Sequence, residues 1–214
     1  MVILGLTGSI AMGKSTAAEA LRRLGLPVHD ADATVHRLLA EDPETIAAVR
    51  RAFPKAVRAG RVDRKVLGAR VFGDPEALRR LEAILHPKVA RAEARFLRRQ
   101  ARQRAPMVVL DIPLLFETGA ESRCDAVLVV SAPAFLQAQR VLRRPGMTPA
   151  RLAAIRAQQL PDAEKRRRAD FVIPTGLGKG LSLRALRQAV RKMAGRKGRA
   201  WPPRRRQAAG AVHA

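Results

Sequence analysis

The chain of 214 residues has one cysteine, no tyrosine and only 3% aromatic residues. A single cysteine, Cys124, excludes an internal disulfide and a zinc site built from cysteines. Because an apolar run follows Cys124, we predict a small buried side chain there rather than a nucleophile. The shortage of aromatic rings argues against a stacking surface for single-stranded nucleic acid, which needs exposed rings at intervals.

Long hydrophobic runs are also absent, since no segment approaches the roughly 20 apolar residues of a transmembrane helix. Met1 leads directly into a short apolar segment, without a cationic leader or a cleavage site. We therefore expect a cytoplasmic protein with no membrane partner. We also expect a monomer or a weak homo-oligomer. A length of 214 residues with 47% apolar content is enough for one good core or for a core with inserted lobes.

Acidic residues are scarce, with 18 against 42 basic residues and a formal net charge of +24. Such a surface favours polyanions. Yet 34 of the 42 basic residues are arginine, a skew that nucleotide composition bias in the source genome also produces. We predict no obligatory nucleic-acid partner. A basic nucleic-acid-binding protein stays the alternative from a different functional class, although no helix-turn-helix, RNA-recognition or zinc-finger pattern is recognisable.

A phosphate-binding loop is the strongest motif that is present. The pattern GxxxxGK[ST] lies between the apolar run Val2 to Leu6 and an amphipathic helix pattern. Glycines let successive N–H groups approach a triphosphate, and the following helix adds its positive end. We predict ATP as co-substrate with Mg²⁺; the alternative is a chance glycine-rich turn. The predicted ATP-binding residues are Gly8, Ser9, Ile10, Ala11, Met12, Gly13, Lys14, Ser15 and Thr16, with Lys14 at the β- and γ-phosphates and the Ser15 hydroxyl on Mg²⁺.

Two carboxylates follow the second predicted strand, in the sequence Asp30-Ala31-Asp32. Ligands gather at the carboxyl ends of strands in an open parallel sheet, so we expect these acids to face the bound phosphates. A carboxylate there can accept a proton from an attacking hydroxyl or orient metal-bound water. Either aspartate could instead cap the helix predicted to begin near Ala33, and we expect this for one of the two.

The segment 34–104 has a helical pattern and is far longer than a crossover between strands requires. Three aspartates are predicted to cap its helices, namely Asp42, Asp63 and Asp74. Proline should break or kink the last pattern at His86-Pro87, so that a second helix runs from Lys88 to Arg102. We predict an inserted helical lobe that closes over the second substrate.

Strands resume at Met107, and this apolar run ends in Asp111. That pattern is typical of an aspartate that helps to hold Mg²⁺, the alternative being a solvated strand end. Arginine-rich helical patterns then fill residues 133–169, which we predict to be a lid whose Arg140 clamps the transferring phosphoryl group. The basic segment 195–214 is predicted to be a disordered tail.

Further segments resemble one family, the dephospho-CoA kinases. The resemblance covers residues 1–194 and depends on the loop sequence Gly-Leu-Thr-Gly-Ser-Ile and on a set of shorter motifs. These are Asp30-Ala31-Asp32, Leu81-Glu82, His86-Pro87, Pro113-Leu114-Leu115-Phe116-Glu117, Gln137 with Arg140 and Arg144, Gln159, and Ala169-Asp170. The phosphate loop is shared by many kinases, but the combination of these motifs is much more specific to one family.

The resemblance implies transfer of the ATP γ-phosphoryl group to the ribose 3′-hydroxyl of dephospho-CoA, which gives CoA and ADP. It also implies an α/β fold like that of phosphate-loop NTPases, with a five-stranded parallel sheet flanked by helices (1–33, 105–132 and 170–194), a helical CoA-binding lobe (34–104) and a lid (133–169). By position, Asp32 matches the family's general base, Lys14 the phosphate lysine, Arg140 the lid arginine, and His86 the histidine near the acceptor substrate. Ser15 ranks above Asp111 as the expected Mg²⁺ ligand. The nearest competing interpretation is a kinase of the same architecture that acts on a nucleoside or its monophosphate.

The sequence departs from the family pattern at two places. Ala11 stands where the family usually has another loop glycine, which can alter the fit of the loop. Pro174-Thr175 replaces the Asp-Asn that commonly precedes Gly176, so adenine contacts cannot be assigned to these two positions.

Overall fold

A computed structural model describes residues 1–202, which form two compact units, residues 1–28 with 103–202 and residues 29–102. The strands are β1 (Val2–Thr7), β2 (Val28–Asp30), β3 (Val57–Arg58), β4 (Arg61–Val62), β5 (Met107–Asp111), β6 (Ala126–Ser131) and β7 (Phe171–Pro174). The helices are α1 (Lys14–Arg23), α2 (Ala31–Glu41), α3 (Pro43–Ala52), α4 (Arg64–Val71), α5 (Pro75–Arg102), α6 (Ala134–Leu142), α7 (Pro149–Ala157), α8 (Asp162–Arg168) and α9 (Lys179–Met193).

Five strands form one parallel sheet in the order β2-β5-β1-β6-β7, which confirms the predicted α/β fold. In the register of the central strand, Leu6 of β1 pairs with Asp111 of β5 on one side and with Leu128 of β6 on the other. All residues of β1, β5 and β6 are buried, as expected for strands covered on both faces. This register sets Asp111 level with the end of β1, two residues before Gly8.

One apolar cluster holds the first unit together by packing helices on the sheet. Val2, Leu4 and Leu6 alternate along β1 and face a helical layer formed by α1 and α9. Their partners there include Ala17, Ala18, Leu21, Leu186, Ala189 and Met193. Burial of a leucine side chain contributes about 1.5–3 kcal/mol, so this cluster fixes α1, and with it the position of Lys14.

The second unit is mainly helical and has its own apolar cluster, formed by Leu39, Val49, Phe53, Ala56, Leu67, Ala77, Leu81 and Leu85. The predicted aspartate caps are confirmed, since each carboxylate accepts hydrogen bonds from backbone N–H groups of the helix that follows, at Asp42, Asp63 and Asp74. Asp30 is the capping member of the Asp30-Ala31-Asp32 pair. Its Oδ1 accepts from the Ala33 N–H at 2.9 Å, and α2 begins at Ala31 rather than near Ala33.

Two predictions for this segment are wrong. Helix α5 continues through Pro87 to Arg102, so the predicted break and the separate helix from Lys88 are wrong, while a kink at Pro87 stays a prediction. Proline removes one backbone hydrogen bond, and buried residues on both sides, such as Leu85 and Leu97, keep the helix packed. A two-stranded antiparallel hairpin, β3 with β4, was also missed, since two residues are too few to show an alternating pattern.

An ion pair in this unit predicts acid-dependent stability. Lys88 Nζ lies 2.8 Å from Asp42 Oδ2, and this contact, together with Thr45, lowers the pKa of Asp42 from 3.8 to about 2. A lowered pKa means that the stabilisation is present above about pH 4 and is lost as the pH falls through about 2. Since asparagine also caps helices and the pair is partly exposed, Asp42→Asn should cost only about 0.5–1 kcal/mol at neutral pH.

The measurement is urea unfolding of both proteins between pH 7 and pH 2, followed by circular dichroism. We expect the difference between wild type and Asp42→Asn to shrink on acidification. A difference that stays constant down to pH 2 would contradict the assignment. Asp63→Asn is the control, because the Asp63 carboxylate accepts from the N–H groups of Lys65 and Val66 in a comparable cap.

Two sequence predictions concern positions outside these elements. Cys124 was predicted to be buried but is only half-buried. Its Sγ nevertheless lies close to Gly5, since a Cβ added to Gly5 would stand 2.9 Å from it.

The first residues of the predicted disordered tail make hydrogen bonds. The N–H groups of Arg199 and Ala200 donate to Asp125 Oδ1 at 2.5 and 2.9 Å, which opposes disorder at these two residues. Residues 203–214 of the tail lie outside the described part of the chain. Over residues 1–202 no helix is long and apolar enough to cross a membrane.

Candidate functional site

The loop Gly8 to Thr16 connects β1 to α1, and its backbone requires special residues. A Cβ on Gly8 would lie 2.3 Å from Val130 Cγ2 and 2.7 Å from the Val130 carbonyl oxygen, so a side chain there would collide with β6. Gly13 caps α1 in the left-handed conformation with φ of 92°, and Ala11 is also left-handed with φ of 57°. Left-handed residues within such a turn make neighbouring N–H groups converge, as anion binding requires.

Lys14 and Asp111 lie together at the end of the sheet. Lys14 Nζ donates to Asp111 Oδ1 at 2.7 Å, and Asp111 is only 1% exposed. The pairing follows from the register, which places the end of β5 beside the β1 segment that leads into the loop. Burial excludes the interpretation of Asp111 as a solvated strand end.

Arg140 of α6 contacts the loop through backbone carbonyls. Its Nη2 donates to the Thr175 carbonyl at 2.8 Å and its Nη1 to the Ala11 carbonyl at 3.4 Å. Thr175, which follows β7, donates from Oγ1 to the Met12 carbonyl at 2.5 Å. The segment after β7 and helix α6 therefore both bind the loop. From the sequence, Thr175 was only a departure from the family pattern. Its hydroxyl, which can donate a hydrogen bond, was the feature that could have indicated this contact.

Three polar side chains of the predicted lid also surround the loop, and the sequence analysis assigned none of them to the site. Gln137 Nε2 donates to the Ile10 carbonyl at 3.0 Å, and Gln159 Oε1 accepts from the Ile10 N–H at 3.1 Å. Arg156 donates to Gln137 Oε1 from both Nε and Nη2. The family resemblance includes Gln137 and Gln159 and could have indicated them, whereas nothing in the sequence distinguished Arg156 among the 34 arginines.

A buried ion pair connects α8, the last helix of the predicted lid, to Glu117. Lys165 Nζ, in a side chain with 0% exposure, lies 2.8 Å from Glu117 Oε1, which also accepts from the Leu160 N–H at 2.9 Å. Burial raises the pKa of Glu117, but the Lys165 ammonium and the Leu160 N–H lower it by more, so that the pKa lies below its usual value. Glu117 therefore stays ionised at neutral pH and joins the 113–117 motif to α8.

The predicted substrate residues belong to the helical unit. Asp32 is exposed in the first turn of α2, and His86 is exposed on α5. Lys14, Ser15, Asp111 and Arg140 belong to the first unit, so the predicted catalytic, substrate and metal residues divide between the two units. The roles assigned to them from the sequence stay predictions.

The donor set at the loop fits Mg²⁺. Ser15 is exposed on the first turn of α1, and Asp111 supplies a carboxylate beside Lys14. Mg²⁺ prefers such oxygen ligands, and it usually takes only one or two protein groups together with substrate phosphates and water. Accordingly, a cluster of three or more His, Cys, Asp or Glu side chains suited to a metal is not required, and residues 1–202 contain none.

Comparison with known proteins identifies the family. Residues 2–177 match the sequence model of the family described as dephospho-CoA kinase. The chain belongs to the dephospho-CoA kinase family. A curated relative named dephospho-CoA kinase, from Rhodospirillum rubrum, is 64% identical over 187 residues, which cover 87% of this chain and 89% of the relative.

Solved structures agree with this assignment. A dephospho-CoA kinase from Campylobacter jejuni has a TM-score of 0.60 at 25% identity, covering 89% of this chain and 96% of its own. A crystal structure of a Thermus thermophilus protein has a TM-score of 0.78 at 41% identity, covering 90% of this chain and 97% of its own. The chain is thus a kinase with the phosphate-loop α/β fold of the dephospho-CoA kinase family.

The family's usual glycine at position 11 has a physical reason in the backbone. Ala11 adopts φ of 57°, a conformation that costs an L-residue about 1 kcal/mol and glycine almost nothing. We expect Ala11→Gly to raise Tm by about 1–3 °C, after allowing for the larger entropy of glycine in the unfolded chain. Differential scanning calorimetry measures this shift.

The control for that variant is Ala153→Gly, at an exposed position within α7. The same chemical change in an ordinary helical conformation should lower Tm, since glycine in a helix costs about 1 kcal/mol relative to alanine. Opposite signs at the two positions would support strain at Ala11. A loss of stability in both variants would contradict it.

Proposed function

We propose that this kinase transfers the γ-phosphoryl group of Mg²⁺-bound ATP to the ribose 3′-hydroxyl of dephospho-CoA, giving CoA and ADP in the last step of CoA biosynthesis. The observation that carries the proposal is the phosphate loop, with Lys14 beside Asp111, in a chain whose residues 2–177 match the dephospho-CoA kinase family. Relatives named dephospho-CoA kinase support the choice of acceptor.

On this proposal, the loop and its neighbours bind and neutralise the triphosphate. Loop N–H groups and Lys14 bind the β- and γ-phosphates, and Arg140, already beside the loop, stabilises charge on the transferring group. Ser15 and Asp111 would hold Mg²⁺, which supplies further charge neutralisation when it is bound. Phosphoryl transfer depends mainly on alignment and charge stabilisation, and these residues provide both.

The acceptor side of the reaction is assigned to the helical unit. Asp32 accepts the proton of the 3′-hydroxyl as the hydroxyl oxygen forms a bond to the γ-phosphorus of ATP. The bond between the γ-phosphorus and the β–γ bridging oxygen breaks at the same time, and ADP leaves. His86 contacts the acceptor. The exposure of Asp32 and His86 supports this assignment, since buried side chains could not reach a substrate.

The test is a product assay. The full-length protein is incubated with Mg²⁺-ATP and, separately, with dephospho-CoA, AMP or adenosine, and acceptor phosphorylation is followed by mass spectrometry. We expect only dephospho-CoA to gain one phosphate and to become identical to CoA. Phosphorylation of AMP or adenosine instead would replace the proposed acceptor with a nucleotide or nucleoside.

Three further expectations stay predictions, namely a monomeric state, a cytoplasmic location and independence from nucleic acid. ATP turnover that appears only with added RNA would contradict independence from nucleic acid.

A further inference from the structure

We propose that Gln137 and Arg156 are positioning residues for ATP, because they fix the orientation of the loop peptide between Ile10 and Ala11. The inference rests on the proposed use of this loop for ATP, but it does not depend on which acceptor is phosphorylated. It gives a role to two side chains that do not belong to the loop motif. Both come from the segment predicted to be a lid, Gln137 from α6 and Arg156 from α7.

The amide of Gln137 uses both of its polar atoms. The side chain is 4% exposed; its Nε2 donates to the Ile10 carbonyl at 3.0 Å, and its Oε1 accepts from Arg156 Nε at 3.0 Å and from Nη2 at 2.6 Å. Arginine can only donate, so the amide oxygen must face Arg156 and the amide nitrogen must face the loop. Arg156 thereby fixes the orientation in which Gln137 presents a donor to the Ile10 carbonyl.

The contact has a consequence for the next N–H group of the loop. The Ile10 carbonyl and the Ala11 N–H belong to one planar trans peptide, so they point in opposite directions. Holding the carbonyl against Gln137 turns the Ala11 N–H away from α6. A second contact, two residues further along the loop, has the same effect, because the Thr175 hydroxyl holds the Met12 carbonyl and so orients the Gly13 N–H. The Met12 N–H between them donates to the Ser9 carbonyl within the loop. Orientation of backbone N–H groups is the property by which such a loop binds phosphate.

A purely structural role for Gln137 makes a different prediction from a positioning role. If Gln137 only anchored Arg156, then Gln137→Glu would serve at least as well, because a carboxylate forms a stronger pair with a guanidinium. In the positioning role the same variant fails, since an oxygen would then face the Ile10 carbonyl and two acceptors repel. Gln137→Met removes all three hydrogen bonds of the amide while keeping a side chain of similar size. Arg156→Met leaves Gln137 without the partner that orients its amide.

The experiment measures ATP binding separately from turnover. Full-length variants are titrated with Mg²⁺ and a nonhydrolysable ATP analogue by calorimetry, and kcat, KM for ATP, KM for dephospho-CoA and Tm are measured alongside. For Gln137→Met we expect Kd and KM for the nucleotide to rise about tenfold, the scale of one or two lost hydrogen bonds. KM for dephospho-CoA should stay within about twofold. We expect Gln137→Glu to be at least as impaired, Arg156→Met to rise about threefold, and Arg156→Lys to recover part of that loss.

The matched control is Gln139→Met, an exposed position two residues further along α6, which should match wild type in every readout. Wild-type nucleotide affinity in Gln137→Glu would overturn the proposal, and so would a lower Tm with unchanged affinity in Gln137→Met. If the wild-type protein failed to phosphorylate dephospho-CoA, the proposed function would fall. The analogue titrations would still decide this inference.

Discussion

Replacing Lys14 with alanine is expected to raise the Kd for ATP at least tenfold and to lower kcat/KM by about a thousandfold. The ammonium neutralises phosphate charge in the bound state and in the transition state, and loss of one such electrostatic contact typically costs a factor of 10²–10³ in rate. Nucleotide titration and steady-state kinetics measure the two effects. Unchanged ATP binding would contradict the assignment of this loop as the ATP-binding site.

The same substitution also affects stability, and this must be separated from function. Lys14 Nζ lies 2.7 Å from the buried Asp111 carboxylate, so Lys14→Ala removes a positive charge from that carboxylate and should lower Tm. The double variant Lys14→Ala with Asp111→Asn removes both charges and should recover much of the Tm. It should not recover ATP affinity. Recovery of both would mean that the single variant had only destabilised the fold.

The sheet was predictable because its determinants are local. The strands Met107–Asp111 and Ala126–Ser131 are short apolar runs, and the phosphate-loop motif fixes the turn that follows Val2–Thr7. The pairing of Lys14 with Asp111 was not predicted, although it follows from a register in which Leu6 lies beside Asp111. Sequence patterns give strands, whereas their register depends on long-range packing.

The hydrogen bonds around the loop were harder to predict for a different reason. Gln137 and Thr175 lie more than 100 residues from the loop carbonyls to which they donate, and Arg156 is linked to the loop through Gln137. Polar side chains on helices usually face water. The local pattern therefore placed Arg156 only within the predicted lid, 133–169. The helix through Pro87 shows the converse error, since a strong local rule against proline gave way to the buried contacts of Leu85 and Leu97 on either side.

The second large effect is expected at Asp32. Asp32→Asn should leave the Kd for ATP within about twofold of wild type and cut kcat by about a hundredfold or more, the usual scale for loss of a general base. Asparagine keeps the size of the side chain but cannot accept the proton of the 3′-hydroxyl. Single-turnover phosphorylation of dephospho-CoA, measured after ATP is bound, isolates that step from product release.

Asp30→Asn is the matched control, because it makes the same chemical change two residues earlier. The Asp30 carboxylate accepts the Ala33 N–H as the cap of α2, and asparagine caps helices about as well, so turnover should fall no more than severalfold. If both variants lost activity equally, the helix start as a whole would be the sensitive element and Asp32 would have no separate role. A near-normal rate in Asp32→Asn would exclude it as the base. A large loss at Asp32 alone requires its carboxylate, since both changes remove one negative charge at the start of α2 and only Asp32→Asn removes the proposed proton acceptor.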